Sequence, residues 1–440
     1  MVDMASVNIT KPNIANEAKM DKKIKILTIS DMPLSPSGVG TQTKYMIESL
    51  LKTGKYQVAS LGGAIKHPKY EPIRTHEHGD DWVIYPVDGY GSQEMIRSII
   101  RAEKPDILWF MTDPRFWGWL WEMENEIRPL MPMVYYHVWD NYPYPDFNKV
   151  FYESNDVILA ISKVTHDVVQ TVAPDVECRY VPHSVDTDIF KKYEPEQVEE
   201  FKKQVLGEYY SPDKFVFFWN NRNARRKQSG SLIFWFAKFL EKVGKDKAAL
   251  IMHTEVKDEH GQDLEAIINN LDLTNGEVLF SQTKVEPAKL AMTYNAADCT
   301  INIADAEGFG LATLESLACE TPIIVNMTGG LQEQVTDGEN WFGIGLEPTS
   351  KAIIGSQYIP YIYEDRLSEE VVVEALLKMY NKDSKEIAKL GEQGRNHVLK
   401  NYNFEEYCNN WDKIFRDIYE KRGSWNTRKG PQRWFIKEVA

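Results

Sequence analysis

The sequence has few cysteines, no long apolar run and no excess of positive charge, and each shortage excludes a class of protein. Four cysteines in 440 residues (Cys178, Cys299, Cys319 and Cys408) stand far apart, with no CxxC or CxxH spacing. They neither staple a small fold nor frame a zinc site, and they suit a reducing, cytoplasmic setting. No apolar stretch approaches the roughly 20 residues of a membrane span. A formal net charge of −14 argues against broad electrostatic binding to nucleic acid or anionic lipid, although local basic patches can persist in an acidic protein. No short repeat or low-complexity tract is present. Residues 1–21 are polar and aperiodic and lack the apolar core of a signal peptide. They are expected to form a loose extension.

What is present can bury a large core. The chain is 43% hydrophobic and 26% charged, and its length favours two domains over one. Apolar, β-branched runs recur with helical segments between them. "KIKILTIS", "YQVASLGG", "KPDILWFMT", "PMVYYHVWD" and "DVILAIS" read as strands of a first series. "KFVFFWNN", "AALIMHT", "VLFSQ", "CTINIA" and "PIIVN" read as strands of a second. The first helix, "TQTKYMIESLLKTG", is expected to be capped by Thr41 and to end at Gly54. Alternating strands and helices predict mostly parallel sheets covered on both faces, in two α/β halves joined near residue 185.

In such domains ligands bind beyond the carboxyl ends of the strands, where loops enter helix N-termini. Three loops qualify. "SPSGVGT" carries Gly38 and Gly40, which would let backbone approach a ligand, although a plain tight turn reads the same way. "NNRNARRKQ" sets four cations within six residues. A solvated basic face is the ordinary explanation, but a strand's carboxyl end makes it a candidate phosphate grip. "DAEGFGLATLE" leaves a strand, turns at two glycines and enters a helix, with Glu307 before the helix end and Glu315 on it. That helix end offers N–H groups and a positive dipole to an anion.

These residues carry a resemblance. "EGFGLATLE" resembles the E-x7-E motif of the retaining nucleotide-sugar glycosyltransferases of family four, which have the GT-B fold. In the expected order follow "VPHSVDTDIF" at the interdomain hinge, the Arg222…Lys227 pair, "PIIVNMTGGLQEQVTDG", and "LGEQGRNHVLKNYNFEEYCNNW". The resemblance spans residues 24 to about 415. It implies two Rossmann-like domains facing across a cleft: residues 22–185 binding acceptor and 186–415 binding the nucleotide sugar. Residues 416–440 would form a tail packing back on the N-terminal domain.

For the site, the resemblance implies that Arg222, Lys227 and the N–H groups of Gly308, Phe309, Gly310 and Leu311 stabilise the leaving diphosphate. Glu307 would face the donor sugar, Glu315 the ribose, and backbone groups of Gln282 and Thr283 the base, with Gly38 and Gly40 completing the donor site. His137 would sit near the donor sugar and the acceptor, and Asp140 would bind acceptor. The implied reaction moves a sugar, with retention, from a UDP- or GDP-linked donor to a hydroxyl of a glycan, lipid-linked or small-molecule acceptor. It requires no cofactor beyond that co-substrate, and no metal if cations and a helix end carry the phosphates. Two alternatives stand beside it: transfer to a modified DNA base, and a catalytically silent sugar-nucleotide-binding scaffold.

Some features depart from the pattern or imitate others. The hinge reads "HSVD" where the family has "NGVD", and "WNN" replaces the usual glycine before Arg222. "DTD" at 186–188 mimics a metal-binding DxD but lies inside the hinge motif. "HEHGDD" (76–81) has ligand types suited to a transition metal. It falls in a predicted loop with no strand-borne ligand nearby, so a solvated loop is expected. Trp117 and Trp121 stand i, i+4 and are expected in the core. Trp119 points elsewhere and is a candidate for an acceptor-sugar platform or a peripheral lipid contact.

Overall fold

The computed structural model describes residues 22–431; the expected N-terminal extension and residues 432–440 of the tail lie outside the described residues. Strands β1 (Ile24–Asp31), β2 (Tyr56–Gly63), β3 (Ile73–Arg74), β4 (Trp82–Pro86), β5 (Ile107–Met111), β6 (Met133–His137), β7 (Val157–Ala160) and β8 (Cys178–Tyr180) form one sheet. Its order is 3-4-2-1-5-6-7-8, parallel except for β3 against β4. A second, wholly parallel sheet takes β9 (Phe215–Asn220), β10 (Ala248–His253), β11 (Val278–Ser281), β12 (Cys299–Asn302), β13 (Ile323–Asn326) and β14 (Gly343–Leu346) in the order 11-10-9-12-13-14. Helices cover both faces, so central strands such as ILWFM and MVYYH are buried throughout rather than alternating.

The first helix spans Gly38–Leu51, four residues earlier than the Thr41 cap predicts. Ser37 is the cap: its hydroxyl accepts from the Gly40 N–H at 2.9 Å and donates to Asp31 at the end of β1 at 2.7 Å. The loop after β1 is thereby tied to the helix whose N-terminus it presents.

Two segments cross between the halves. Helix Phe404–Arg422 returns to the N-terminal domain, where Trp411 packs edge-on against Trp109 and Tyr136. Tyr56 donates to Asp412 at 2.9 Å, and farther along Arg428 meets Asp156 at 2.6 Å with both side chains buried. The second crossing was not apparent in the sequence. It is the antiparallel hairpin β15 (Ser350–Ser356) and β16 (Ile359–Arg366) of the C-terminal half. The hairpin buries Ile359 and Ile362 in the N-terminal aromatic core. The Tyr363 N–H donates to the Tyr142 carbonyl at 2.7 Å. The hairpin straps one domain to the other beside the cleft.

Candidate active site

The turn after β12 holds the centre of the site. Glu307 and Lys227 form an ion pair with only 13% and 9% of their side chains exposed. Asn302 also reaches the Glu307 carboxylate at 3.3 Å. Burial pushes the Glu307 carboxyl up, but the Lys227 and Arg226 charges and these hydrogen bonds outweigh it and hold it below its ordinary range. Glu307 is therefore ionised at neutral pH. Lys227 is pulled below its ordinary range by burial first and by Arg226 second, with Glu307 opposing.

Behind Glu307 the backbone turns tightly because two glycines of the next loop lie on it. A Cβ on Gly329 would fall 1.8 Å from the Glu307 carbonyl oxygen, and one on Gly330 2.7 Å from the Phe309 Cα. Gly330 N–H donates to the Glu307 carbonyl at 3.0 Å, and Gln334 holds the Phe309 carbonyl at 2.7 Å. The Phe309 ring anchors the turn in the hinge, 5.0 Å from the His183 ring. His183 occupies the position where the family has an asparagine, and it accepts or donates at Nδ1 to the Tyr136 hydroxyl at 2.8 Å. The Glu307 and Phe309 carbonyls are thus engaged, while among the described residues the N–H groups of Gly308, Phe309, Gly310 and Leu311 donate to no protein acceptor. They stand at the start of helix Leu311–Ala318, an anion-binding arrangement.

The N-terminal domain closes over this turn. A Cβ on Gly308 would meet the Val138 carbonyl at 2.9 Å, and one on Gly38 would meet Leu311 at 3.0 Å. Asp140 faces Gly308 and Gly329. Its carboxyl is pushed up to about 6 by burial, with Glu307 and Asp113 adding to the rise and Arg226 and Lys227 resisting it. Gly38, Asp140 and the 307–311 turn therefore meet at one point from two domains.

Other expected residues are placed differently. Glu315 lies one helical turn into helix Leu311–Ala318, where Tyr294 donates to it at 2.7 Å and burial pushes its carboxyl up to about 7. Gln282 and Thr283 are exposed just past β11, three strands along the sheet from β12. At ~4.8 Å per strand that is about 14 Å, a span that suits a base held apart from a sugar. Gly40 is buried in the first turn of helix Gly38–Leu51, where a Cβ would strike the Met32 carbonyl at 2.7 Å, so its small size lets the loop after β1 pack on that turn. Trp117 and Trp121 are buried, while Trp119 is half-buried against the N-terminal core and its carbonyl accepts from Gln93.

Two placements correct the sequence reading. His137 is fully buried, with its ring against Tyr135 and Tyr152 and its Nε2 2.8 Å from the Tyr152 hydroxyl. Strand parity is the reason: His137 shares the Tyr135 face of β6, which points into the aromatic core rather than the cleft. Burial lowers the imidazole to about 3, so it is neutral at physiological pH. Arg222 is exposed and grips Asp258 through two bonds at 2.7 and 3.0 Å, away from the Lys227–Glu307 pair. The cation beside that pair is Arg226, which donates to the Ala306 carbonyl.

Three further residues escaped sequence reasoning. Arg226 lay within the cation run, but spacing alone did not separate it from its neighbours. Glu333 is buried and joins the domains, accepting from the Lys163 N–H at 2.7 Å and the Tyr180 hydroxyl at 2.8 Å. Glu364 of the strap takes a bidentate bond from Arg225 at 2.7 and 2.9 Å, and Arg366 reaches both Glu364 and Asp305. The cation loop is therefore braced by the strap.

Two facing parallel α/β domains, with the site at their strand ends and a C-terminal helix returned to the first domain, define a GT-B protein. The family model for glycosyl transferases group 1 matches residues 201–397. This agrees with the resemblance read from the motifs. The fold matches sucrose-phosphate synthase from Thermosynechococcus elongatus with a TM-score of 0.71 at 16% identity, covering 91% of this chain and 100% of that one. It also matches Anabaena Alr3699/HepE in complex with UDP-glucose, with a TM-score of 0.65 at 16% identity, covering 90% and 100%. N-acetyl-alpha-D-glucosaminyl L-malate synthase of Bacillus anthracis is 21% identical over 60% of this chain and 61% of its own length. D-inositol 3-phosphate glycosyltransferase of Acidothermus cellulolyticus is 39% identical over 16% of this chain and 15% of its own. The matches thus cover less than two thirds of these curated relatives. No helix among the described residues is long and apolar enough to cross a membrane.

Proposed function

We propose that the protein is a retaining glycosyltransferase that moves a sugar from a UDP- or GDP-linked donor to a hydroxyl of a glycan, lipid-linked or small-molecule acceptor in the cytoplasm. The observation that carries the reading is the buried Lys227–Glu307 pair beside four unengaged N–H groups at a helix start. As the anomeric bond breaks, negative charge grows on the leaving phosphate. Lys227, Arg226 and those N–H groups are already oriented toward an anion and need little reorganisation. Glu307 accepts from the donor sugar's hydroxyls, and its charge favours an oxocarbenium-like centre. Glu315 accepts from the ribose, and backbone groups at Gln282 and Thr283 read the base. Arg222 reaches a phosphate only by leaving Asp258.

On the other wall Asp140 is the acceptor-side acid, near enough to Glu307 that the Glu307 charge helps to raise its carboxyl. The acceptor approaches on the face the phosphate leaves and gives its proton to that phosphate. Two relatives support a small-molecule or lipid acceptor: one is named as a synthase of an L-malate glycoside, another as an alpha-monoglucosyldiacylglycerol synthase.

The test is a panel of UDP- and GDP-sugars scored by thermal shift, followed by turnover with the best donor and NMR of the product's anomeric centre. A donor at 100 times its Kd adds about 2.7 kcal/mol of stability. Inverted product would overturn retention. Binding without either transfer or slow donor hydrolysis would favour a silent scaffold.

A further inference from the structure

The stretch His76–Asp81 has metal-ligand chemistry but, in sequence, no partner on a rigid element. The fold supplies that partner. Helix Gly38–Leu51 brings Glu48 to the turn before β4, so that Glu48, Glu77 and His78 each offer one ligand atom, all within 4.8 Å of one another. The His78 side chain is only 10% exposed, its Nε2 has no hydrogen-bond partner, and the nearest Glu77 oxygen is 3.9 Å away, beyond hydrogen-bond reach. A buried polar atom left unpaired costs ~1–3 kcal/mol. Among the described residues the one ion pair that the Glu48 and Glu77 carboxylates make with a lysine or arginine is Glu48 with Lys44, 3.6 Å away and 42% exposed, so free to turn into water. An orphaned imidazole nitrogen facing two acids is a donor set in need of a cation.

We propose that Glu48, Glu77 and His78 bind a divalent transition metal, zinc being the best fit. One imidazole with two carboxylates suits Zn²⁺, Co²⁺ or Mn²⁺ and disfavours the all-oxygen preference of Mg²⁺ and Ca²⁺. Modest rotation of the two flexible glutamates brings all three atoms to the ~2.0–2.2 Å of zinc bonds, with water completing four-coordination. The Trp82 ring, 5.7 Å from the imidazole, steadies it. Glu48 lies ten residues beyond Gly38, about 15 Å along the helix, so the ion stands outside the cleft and touches no donor. Its role is to fasten the excursion between β2 and β4 to the helix that presents Gly38.

The experiment uses the full chain without an affinity tag, stripped with chelator and titrated with Zn²⁺ by calorimetry and with Co²⁺ by visible absorption. One equivalent should bind, with ligand-field bands for Co²⁺ and a rise in Tm that Zn²⁺ gives and Mg²⁺ does not. Glu77→Gln, at a side chain 73% exposed, and Glu48→Gln should each weaken Zn²⁺ at least tenfold, and His78→Ala should abolish binding. If His78→Ala fails to fold, the two glutamate variants decide. Unchanged affinity in both glutamate variants, which would place the ion on other histidines, overturns the proposal. So does the absence of Zn²⁺ binding below millimolar concentration.

Discussion

Lys227 and Glu307 form a buried ion pair, joined from loops 80 residues apart at the ends of neighbouring strands β9 and β12. Neither charge is tolerable alone. Removing one partner of a buried pair costs about 3–5 kcal/mol because the other charge stays desolvated. Lys227→Ala and Glu307→Ala should each destabilise the fold by that order, and the double variant by clearly less than their sum. Urea unfolding of the three proteins measures the coupling, and strict additivity would mean the pair does not exist in solution. Glu307→Gln, which keeps the shape, should lower turnover more than donor affinity.

Arg226 and Arg222 should behave oppositely. Arg226 acts electrostatically on both Glu307 and Asp140, so Arg226→Ala should weaken nucleoside-diphosphate binding about tenfold or more. Arg222→Ala loses an exposed pair worth ~0–1 kcal/mol and should leave binding within a few-fold. Isothermal titration with UDP and GDP decides. A larger loss at Arg222 would show that it leaves Asp258 when the donor arrives.

His137 is predicted to be an acid-sensitive core residue with no catalytic role. Its folded value of about 3 lies below the ordinary 6.5, so the unfolded chain binds the extra proton. The stability it supports is complete above about pH 6.5 and is lost as pH falls toward 3. His137→Phe should therefore flatten the stability profile between pH 6.5 and 4 and leave kcat nearly unchanged. A hundredfold fall in kcat with the fold intact would restore a catalytic role.

That correction shows what the sequence could and could not convey. Runs such as ILWFM and MVYYH announce buried parallel strands because burial on both faces removes alternation. The same absence of alternation hides which face each residue takes, so His137 could not be told from a cleft residue. Glycine and acid spacing around Glu307 was legible because a close backbone approach needs those residue types locally. The Arg222–Asp258 and Arg225–Glu364 pairs were not, since partners 36 and 139 residues away are chosen by the fold. The strap was missed for a related reason. Its outward face is mostly exposed, and Ile362 is buried in a cluster made mostly by the opposite domain.

Glu315 should give donor binding a pH dependence near neutrality. Burial raises its carboxyl to about 7, and the ionised form accepts from a ribose hydroxyl more strongly than the protonated form does. UDP affinity should fall as pH drops from 8 to 5.5, by at most tenfold per unit below 7. Glu315→Gln should flatten that part of the profile while binding more weakly at pH 8. The stability sign is the reverse: a raised acid favours the folded state below its unfolded value near 4.5, and that advantage is lost as pH rises toward 7. Parallel profiles for the two proteins would remove Glu315 from the nucleotide site.

Gly329 and Gly338 separate site packing from backbone strain. Both have positive φ, +50° and +98°, so alanine at either costs about 1–2 kcal/mol in conformation alone. At Gly338 nothing lies within 4 Å of the added carbon, whereas at Gly329 it would stand 1.8 Å from the Glu307 carbonyl oxygen. Backbone cannot swing aside as a side chain does, so Gly329→Ala must displace the Glu307 turn or its own loop. Gly338→Ala should lose about 1–2 kcal/mol with full turnover. Gly329→Ala should lose more stability and, where it still folds, at least a hundredfold in kcat, because a shift near 1 Å at the reacting centre carries that cost. Equal behaviour of the two variants, by urea unfolding and steady-state kinetics, would show that the loop does not set the position of Glu307.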